Sequence, residues 1–184
     1  HSLRKTLRRF IRTPGCEVRI DSAFAAVMAA CADTPRDGQR GTWIVDEIVA
    51  AYTAWHRLGR AHSVETWIDG QLVGGLYGVG IGRMFYGESM FSHRTDASKI
   101  ALCALVAFCR GHGITLIDCQ QHTRHLASFG ARQIPRRDFE AHLARTLGAP
   151  PPAAWTYDPA FWALLDLEPA PTEPPAPGPP TTCA

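Results

Sequence analysis

The chain has 184 residues, 46% hydrophobic and 20% charged, with a formal net charge of +2; a domain of ~150 residues already buries roughly 70% of its unfolded surface, so one full core is expected. No stretch approaches the ~18 uninterrupted apolar residues of a membrane helix. The basic N-terminal stretch lacks the apolar centre of a signal peptide, so a soluble cytoplasmic protein without a membrane partner is expected.

The charge is unevenly spread. All 19 Lys and Arg fall in residues 1–148 beside 13 of the 17 acids, which gives that body +6, and 17 of those cations are Arg. Residues 1–12 read as a basic helix in which Arg4, Lys5, Arg8, Arg9 and Arg12 accompany no acid. Arg makes forked contacts to phosphate, so this stretch is a candidate nucleic-acid surface; a solvated helix face is the alternative.

Residues 21–32 read as a short apolar helix with Asp21 or Ser22 as its N-cap. A second helix is expected over 45–58, where Ile48, Val49, Tyr52 and Trp55 recur on one face and Gly59 stops it. Three strands follow at 62–68, 71–79 and 83–90, joined by Asp69-Gly70 and by Gly80-Ile81-Gly82, an antiparallel meander. A largely apolar helix capped by Thr95 or Asp96 runs to Arg110. Gly111-His112-Gly113 ends it, and residues 114–118 form a buried strand. Strand, helix and strand at this spacing predict a βαβ crossover within a mixed sheet. Residues 127–133 are turn-rich, and another helix is expected over 137–147. Residues 1–148 thus form an α/β domain, 149–166 an extended segment pinned by Trp155, Phe161 and Trp162, and 167–184 a Pro-rich disordered tail.

On the last strand a period of two places Leu116, Asp118 and Gln120 on one face and Ile117 and Cys119 on the other. An acid and an amide at the carboxyl end of such a strand suggest a ligand site; a carboxylate capping a loop is the alternative. Glu88 and Met90 are expected to share a face of an otherwise buried strand. Glu88 then needs a partner, which Arg124, Arg136 or Arg137 would supply if its role were structural, or a bound amine if it were functional. Trp43, Tyr52 and Trp55 either stack on a base or fill core. A metal site from Cys119, His122 and His125 fits no familiar spacing, so no metal is expected. A nucleophilic Cys119 is disfavoured because it faces away from Asp118 and Gln120.

Seven stretches taken together, Gly41-Thr42-Trp43-Ile44, Ala61-His62-Ser63-Val64-Glu65, Leu72-Val73-Gly74-Gly75-Leu76-Tyr77-Gly78, Gly87-Glu88-Ser89-Met90-Phe91-Ser92, Ala97-Ser98-Lys99, Leu116-Ile117-Asp118-Cys119-Gln120 and Ile134-Pro135-Arg136-Arg137, resemble leucyl/phenylalanyl-tRNA-protein transferases in order and spacing over residues 1–147. The resemblance implies a GNAT-like α/β fold that moves Leu or Phe, with Met a further candidate, from aminoacyl-tRNA to the α-amine of proteins beginning with Arg or Lys, marking them for N-degron proteolysis. The segment from Glu88 to Asp96 lacks the Gln/Arg-x-x-Gly-x-Gly/Ala loop that cradles coenzyme A in acetyltransferases, so neither a CoA donor nor another cofactor is expected.

Carried over by motif, Asp118 and Gln120 match the catalytic pair and Glu88 a residue near the acceptor amine. Trp43, Tyr52 and Ser89 match the site lining, and Leu76, Phe85, Met90, Leu102, Leu105 and Cys109 the aminoacyl pocket. Leu105 and Cys109 stand where the family often has aromatic residues, which would widen that pocket. The family also has an N-terminal domain with Phe-Pro-Trp and Trp-Trp-Ser-Pro segments. Neither occurs here, so the chain is expected to be a fragment or a truncated form acting as a monomer, the alternative being a binding module of the same fold without catalysis.

Overall fold

The computed structural model describes residues 3–34 and 44–167. A five-stranded sheet has the order β1-β2-β3-β4-β5, formed by β1 (Cys16–Ile20), β2 (Ala61–Ile68), β3 (Gln71–Ile81), β4 (Met84–Ser92) and β5 (Ile117–Asp118). The first four strands pair antiparallel, and β5 joins β4 in parallel. The expected meander and βαβ crossover are both present. At the β2–β3 hairpin, Asp69 and Gly70 take left-handed φ values of 50° and 72°, the pairing that matches the strands' twist.

Each sheet face has its own core. Val64, Leu76 and Phe85 pack with α4 (Ala97–Gly111) on one side. Tyr77 and Phe91 pack with Phe24, Val27 and Met28 of α2 (Phe24–Asp33) on the other, where α3 (Asp46–Arg57) adds Ile48, Val49 and Tyr52. Burying each such Leu or Phe contributes roughly 1.5–3 kcal/mol. Gly74 lets α4 descend onto the sheet, since a Cβ there would stand 2.5 Å from the Ala97 Cβ. Thr66 secures the same point by donating to the Ala97 carbonyl at 2.9 Å.

The N-terminal helix α1 (Leu3–Arg12) buries Thr6, Leu7 and Phe10 and leaves Arg4, Lys5, Arg8, Arg9 and Arg12 exposed. Two short helices, α5 (Arg124–Ala127) and α6 (Arg136–Thr146), follow β5. Residues 149–158 then run extended into a 3-10 helix, Pro159–Leu165, whose Trp162 is buried.

Several local expectations are corrected. The strand β1 was not foreseen, because its Cys-Glu-Val-Arg-Ile pattern buries only Ile20 fully. Asp21 and Ser22 do not cap α2: Asp21 has a left-handed φ of 58° and accepts from the Ser63 N–H at 2.9 Å, while Ser22 donates to Glu65. The strand foreseen over 114–118 pairs only at Ile117 and Asp118. The Pro-rich tail beyond Leu167 lies outside the described residues.

Candidate active site

The site opens where β4 and β5 part. The two strands pair only at Phe85 with Ile117 and Tyr86 with Asp118, and irregular features on both strands follow at once. On β4, Gly87 lies opposite Gly78 and Ser89 opposite Tyr77, so Glu88 is the extra residue of a β-bulge, a feature that re-aims a side chain and ends pairing. After β5, Gln120 adopts a left-handed φ of 59°. Its backbone N–H donates to the Asp118 carboxylate at 2.8 Å, an Asx-type turn that carries the chain away from the sheet.

A cavity of about 610 Å³ fills the resulting wedge, within the range of small-molecule sites, roughly 300–1,000 Å³. Leu76, Met90, Leu102, Leu105 and Ile117 make its apolar part, and Glu88, Ser89 and Gln120 bring polar groups. Among its lining residues Glu88 is the one carboxylate, and none is Lys or Arg. A cationic or amine-bearing ligand therefore suits its polar end, and an apolar side chain its floor.

The bulge changes the expected role of Glu88. Met90 packs into the α4 core, whereas half-buried Glu88 hydrogen-bonds the hydroxyl of Tyr52 on α3, so the two do not share a face. Burial, then the Glu88 charge and hydrogen bond, push the Tyr52 phenol up to about 12, which keeps it a donor. Two of the three arginines considered as partners are engaged locally: Arg136 donates to Glu140 at 2.7 Å and Arg137 to Asp138 at 3.1 Å.

The shared face of Asp118 and Gln120 is likewise absent. Gln120 lines the cavity with Ile117 and Cys119, while Asp118 is not among its lining residues; the left-handed turn reverses the strand alternation. Asp118 instead holds the backbone of Gln120 and lies beside Tyr86, whose phenol is raised by burial first and by Asp118 second. Cys119, expected to face away, lines the cavity. Burial and then Asp118 raise its thiol above the ordinary value, which disfavours the thiolate. Among the described residues no group of three or more His, Cys, Asp or Glu is arranged to hold a metal ion.

Of the expected pocket residues, Leu76, Met90, Leu102 and Leu105 line the cavity. Phe85 and Cys109 stand behind it in the core, and burial drives the Cys109 thiol up to about 12. Trp43 lies outside the described residues. The sequence reading missed Gln121, Thr123 and Leu126, and considered His125 as a metal ligand; all four complete the rim. Thr123 caps α5 by accepting the Leu126 N–H at 3.1 Å, and a Thr followed by Arg-His-Leu was the available signal.

A family model described as leucyl/phenylalanyl-tRNA protein transferase matches residues 1–144, so the segment from residue 149 lies beyond the matched stretch. A protein named leucyl/phenylalanyl-tRNA–protein transferase from Methylibium petroleiphilum is 67% identical over 171 residues, 93% of this chain and 64% of the relative. One of the same name from Leptothrix cholodnii is 68% identical over 89% of this chain and 64% of its own length. A third, from Cupriavidus metallidurans, is 65% identical over 85% and 63%. The chain thus spans just under two thirds of the length of these relatives. The wedge, the Asp118–Gln120 turn and the bulged Glu88 all lie inside the stretch the family model matches, and the chain belongs to the leucyl/phenylalanyl-tRNA protein transferase family.

Proposed function

We propose that this protein is a cytoplasmic aminoacyltransferase, acting as a monomer, that moves Leu or Phe, with Met a further candidate, from aminoacyl-tRNA to the α-amine of polypeptides beginning with Arg or Lys, as a step of N-degron degradation. The observation that carries this reading is the wedge itself, whose floor of Leu76, Met90, Leu102 and Leu105 suits an apolar side chain and whose rim holds Glu88 and Gln120. Ser89 completes its polar side, Tyr52 stands outside the lining and acts on it through Glu88, and Trp43 is assigned there by motif.

Aminoacyl-tRNA is an activated ester, so the reaction needs alignment more than strong base catalysis. The α-amine nitrogen attacks the ester carbonyl, the C–N bond forms as the C–O bond to the terminal ribose breaks, and the amine proton ends on the departing ribose hydroxyl. An α-amine has a pKa of roughly 8, so a useful fraction is neutral at pH 7. Good alignment alone supplies effective molarities of ~10⁵ to 10⁸ M. In this scheme the Gln120 side-chain carbonyl accepts a hydrogen bond from the attacking amine. Glu88 attracts that amine, and Asp118 positions Gln120 through its backbone N–H.

An assay with Leu-tRNA and an Arg-initiated peptide tests this. Gln120→Ala is expected to lower kcat by roughly 10²-fold with little change in KM for tRNA. Asp118→Asn, whose amide oxygen still accepts the Gln120 N–H, should retain most activity that Asp118→Ala loses; equal loss in both would make Asp118 a proton acceptor rather than a positioning residue. Binding of aminoacyl-tRNA without transfer would reduce the protein to a binding module.

The exposed Lys5, Arg8, Arg9 and Arg12 recur along one stripe of α1, which supports contact with tRNA phosphates. Arg4 is partly engaged, donating to the Asp166 carbonyl at 2.9 Å. Neutralising one contacting cation should weaken tRNA binding and lower its salt slope by about 1.

A further inference from the structure

We infer that the C-terminal segment, residues 149–167, sets the depth of the aminoacyl pocket from behind, with Trp155 as a specificity-determining residue. The inference rests on the proposed function. The segment is held at several points: the Arg83 side chain donates to the Pro150 carbonyl at 3.3 Å. Arg110 donates to the Leu164 carbonyl at 2.8 Å, and Trp162 and Leu167 are only 3% and 2% exposed.

Between these anchors the Trp155 indole lies flat on His62, with ring centroids 3.6 Å apart and planes within 5°. His62 cannot yield, because its Nδ1 is fixed to the Asp21 carboxylate at 2.7 Å. Gly80 opens the space the indole occupies, since a Cβ there would come within 2.9 Å of it. The indole also meets Phe108 at 4.8 Å and Phe85 at 5.9 Å. Each of these rings adjoins a residue that faces the cavity. Phe85 is the parallel partner of Ile117, and Phe108 follows Leu105 by one helical turn, while Ile117 and Leu105 both line the cavity.

Trp155 is therefore a second layer behind the pocket floor, clamped on its far side by His62. In a close-packed interior, removing that layer lets the rings in front relax backward. A deeper floor favours the larger donor side chain.

The test measures kcat/KM with Phe-tRNA and Leu-tRNA separately. Trp155→Ala is expected to raise the Phe-to-Leu ratio roughly 3- to 10-fold, less than the effect of a methylene inside a pocket because the change acts through one intervening layer. Trp155→Phe, which disturbs packing less, should shift the ratio the same way by a smaller amount, and it decides the matter if the alanine variant does not fold. Leu164→Ala, a 42% exposed residue of the same segment, should leave the ratio unchanged. An unchanged ratio in the Trp155 variants, with both donors falling equally, overturns the inference and reduces Trp155 to general packing. Absence of transfer from either donor by the unsubstituted protein overturns the proposed function itself, and the inference with it.

Discussion

Two glutamates of the sheet, one on β2 and one on β4, show how the same side chain serves opposite ends. Glu65 is fully buried beneath the start of α2, where its carboxylate accepts from the Ser22 hydroxyl, the Ala23 N–H at 2.8 Å, the Ser63 hydroxyl at 2.8 Å and the Trp67 indole at 3.0 Å. Glu88 sits half-buried on a bulge with the Tyr52 hydroxyl as its neighbour. A carboxylate has about four lone-pair sites. Glu65 uses them on its own fold, whereas among the described residues Glu88 meets the Tyr52 hydroxyl, which leaves acceptor capacity for a ligand that brings donors. The strand residue yields a structural acid, and the extra residue of the β4 bulge is the acid proposed to meet the acceptor amine.

The largest expected effect falls on the saturated acid. Glu65→Ala removes the acceptor of four donors, the buried Ser63 hydroxyl, the half-buried Ala23 N–H and Trp67 indole and the exposed Ser22 hydroxyl, and should destabilise the protein by about 3–5 kcal/mol in a denaturant titration; a loss under about 1 kcal/mol would erase the contrast. Gly74→Ala comes next, since its Cβ would also stand 2.7 Å from the Ala97 carbonyl carbon, at an expected cost of about 1–3 kcal/mol. The smallest effect concerns Asp96, which joins the start of α4 to α1 through Lys99 at 2.7 Å and Thr6 at 3.3 Å. The Lys99 hydrogen bond chiefly holds its carboxyl below the usual value of 3.8. A depressed folded pKa contributes stability above the unfolded pKa, and that stability is lost as pH falls through the folded value. Asp96→Asn should therefore lower Tm near pH 7, with the difference from the unsubstituted protein closing below about pH 3.

What could be read from the sequence followed from local signals. Asp69-Gly70 fixed the β2–β3 hairpin, and the apolar run after Asp96 together with the glycines at 111 and 113 marked α4 and its stop. With the Gly80-Ile81-Gly82 turn and the apolar run after Gly113, those two elements give the meander, the crossover and the strand end beside the wedge. What was not legible depends on partners distant in the chain. A bulge at Glu88 exists only in the register of β4 against β3, so strand alternation put Glu88 beside Met90. The turn at Gln120 similarly defeats a period of two, because one residue at positive φ swaps the faces of those that follow. Glu65 looked like part of a motif: Ser63 and Trp67 are its neighbours two residues away on β2, but Ser22 and Ala23 reach it only when the turn between β1 and α2 is folded over β2.

The most direct test of the wedge as the transfer centre is Glu88→Gln, measured for both stability and turnover. Unfolding free energy should change by less than about 1 kcal/mol, because the amide oxygen still accepts from Tyr52. Turnover of Leu-tRNA with an Arg-initiated peptide should fall by roughly 10-fold or more as the charge facing the acceptor amine disappears. Unchanged turnover, or a loss that merely tracks unfolding, would make Glu88 a second structural acid and contradict the account.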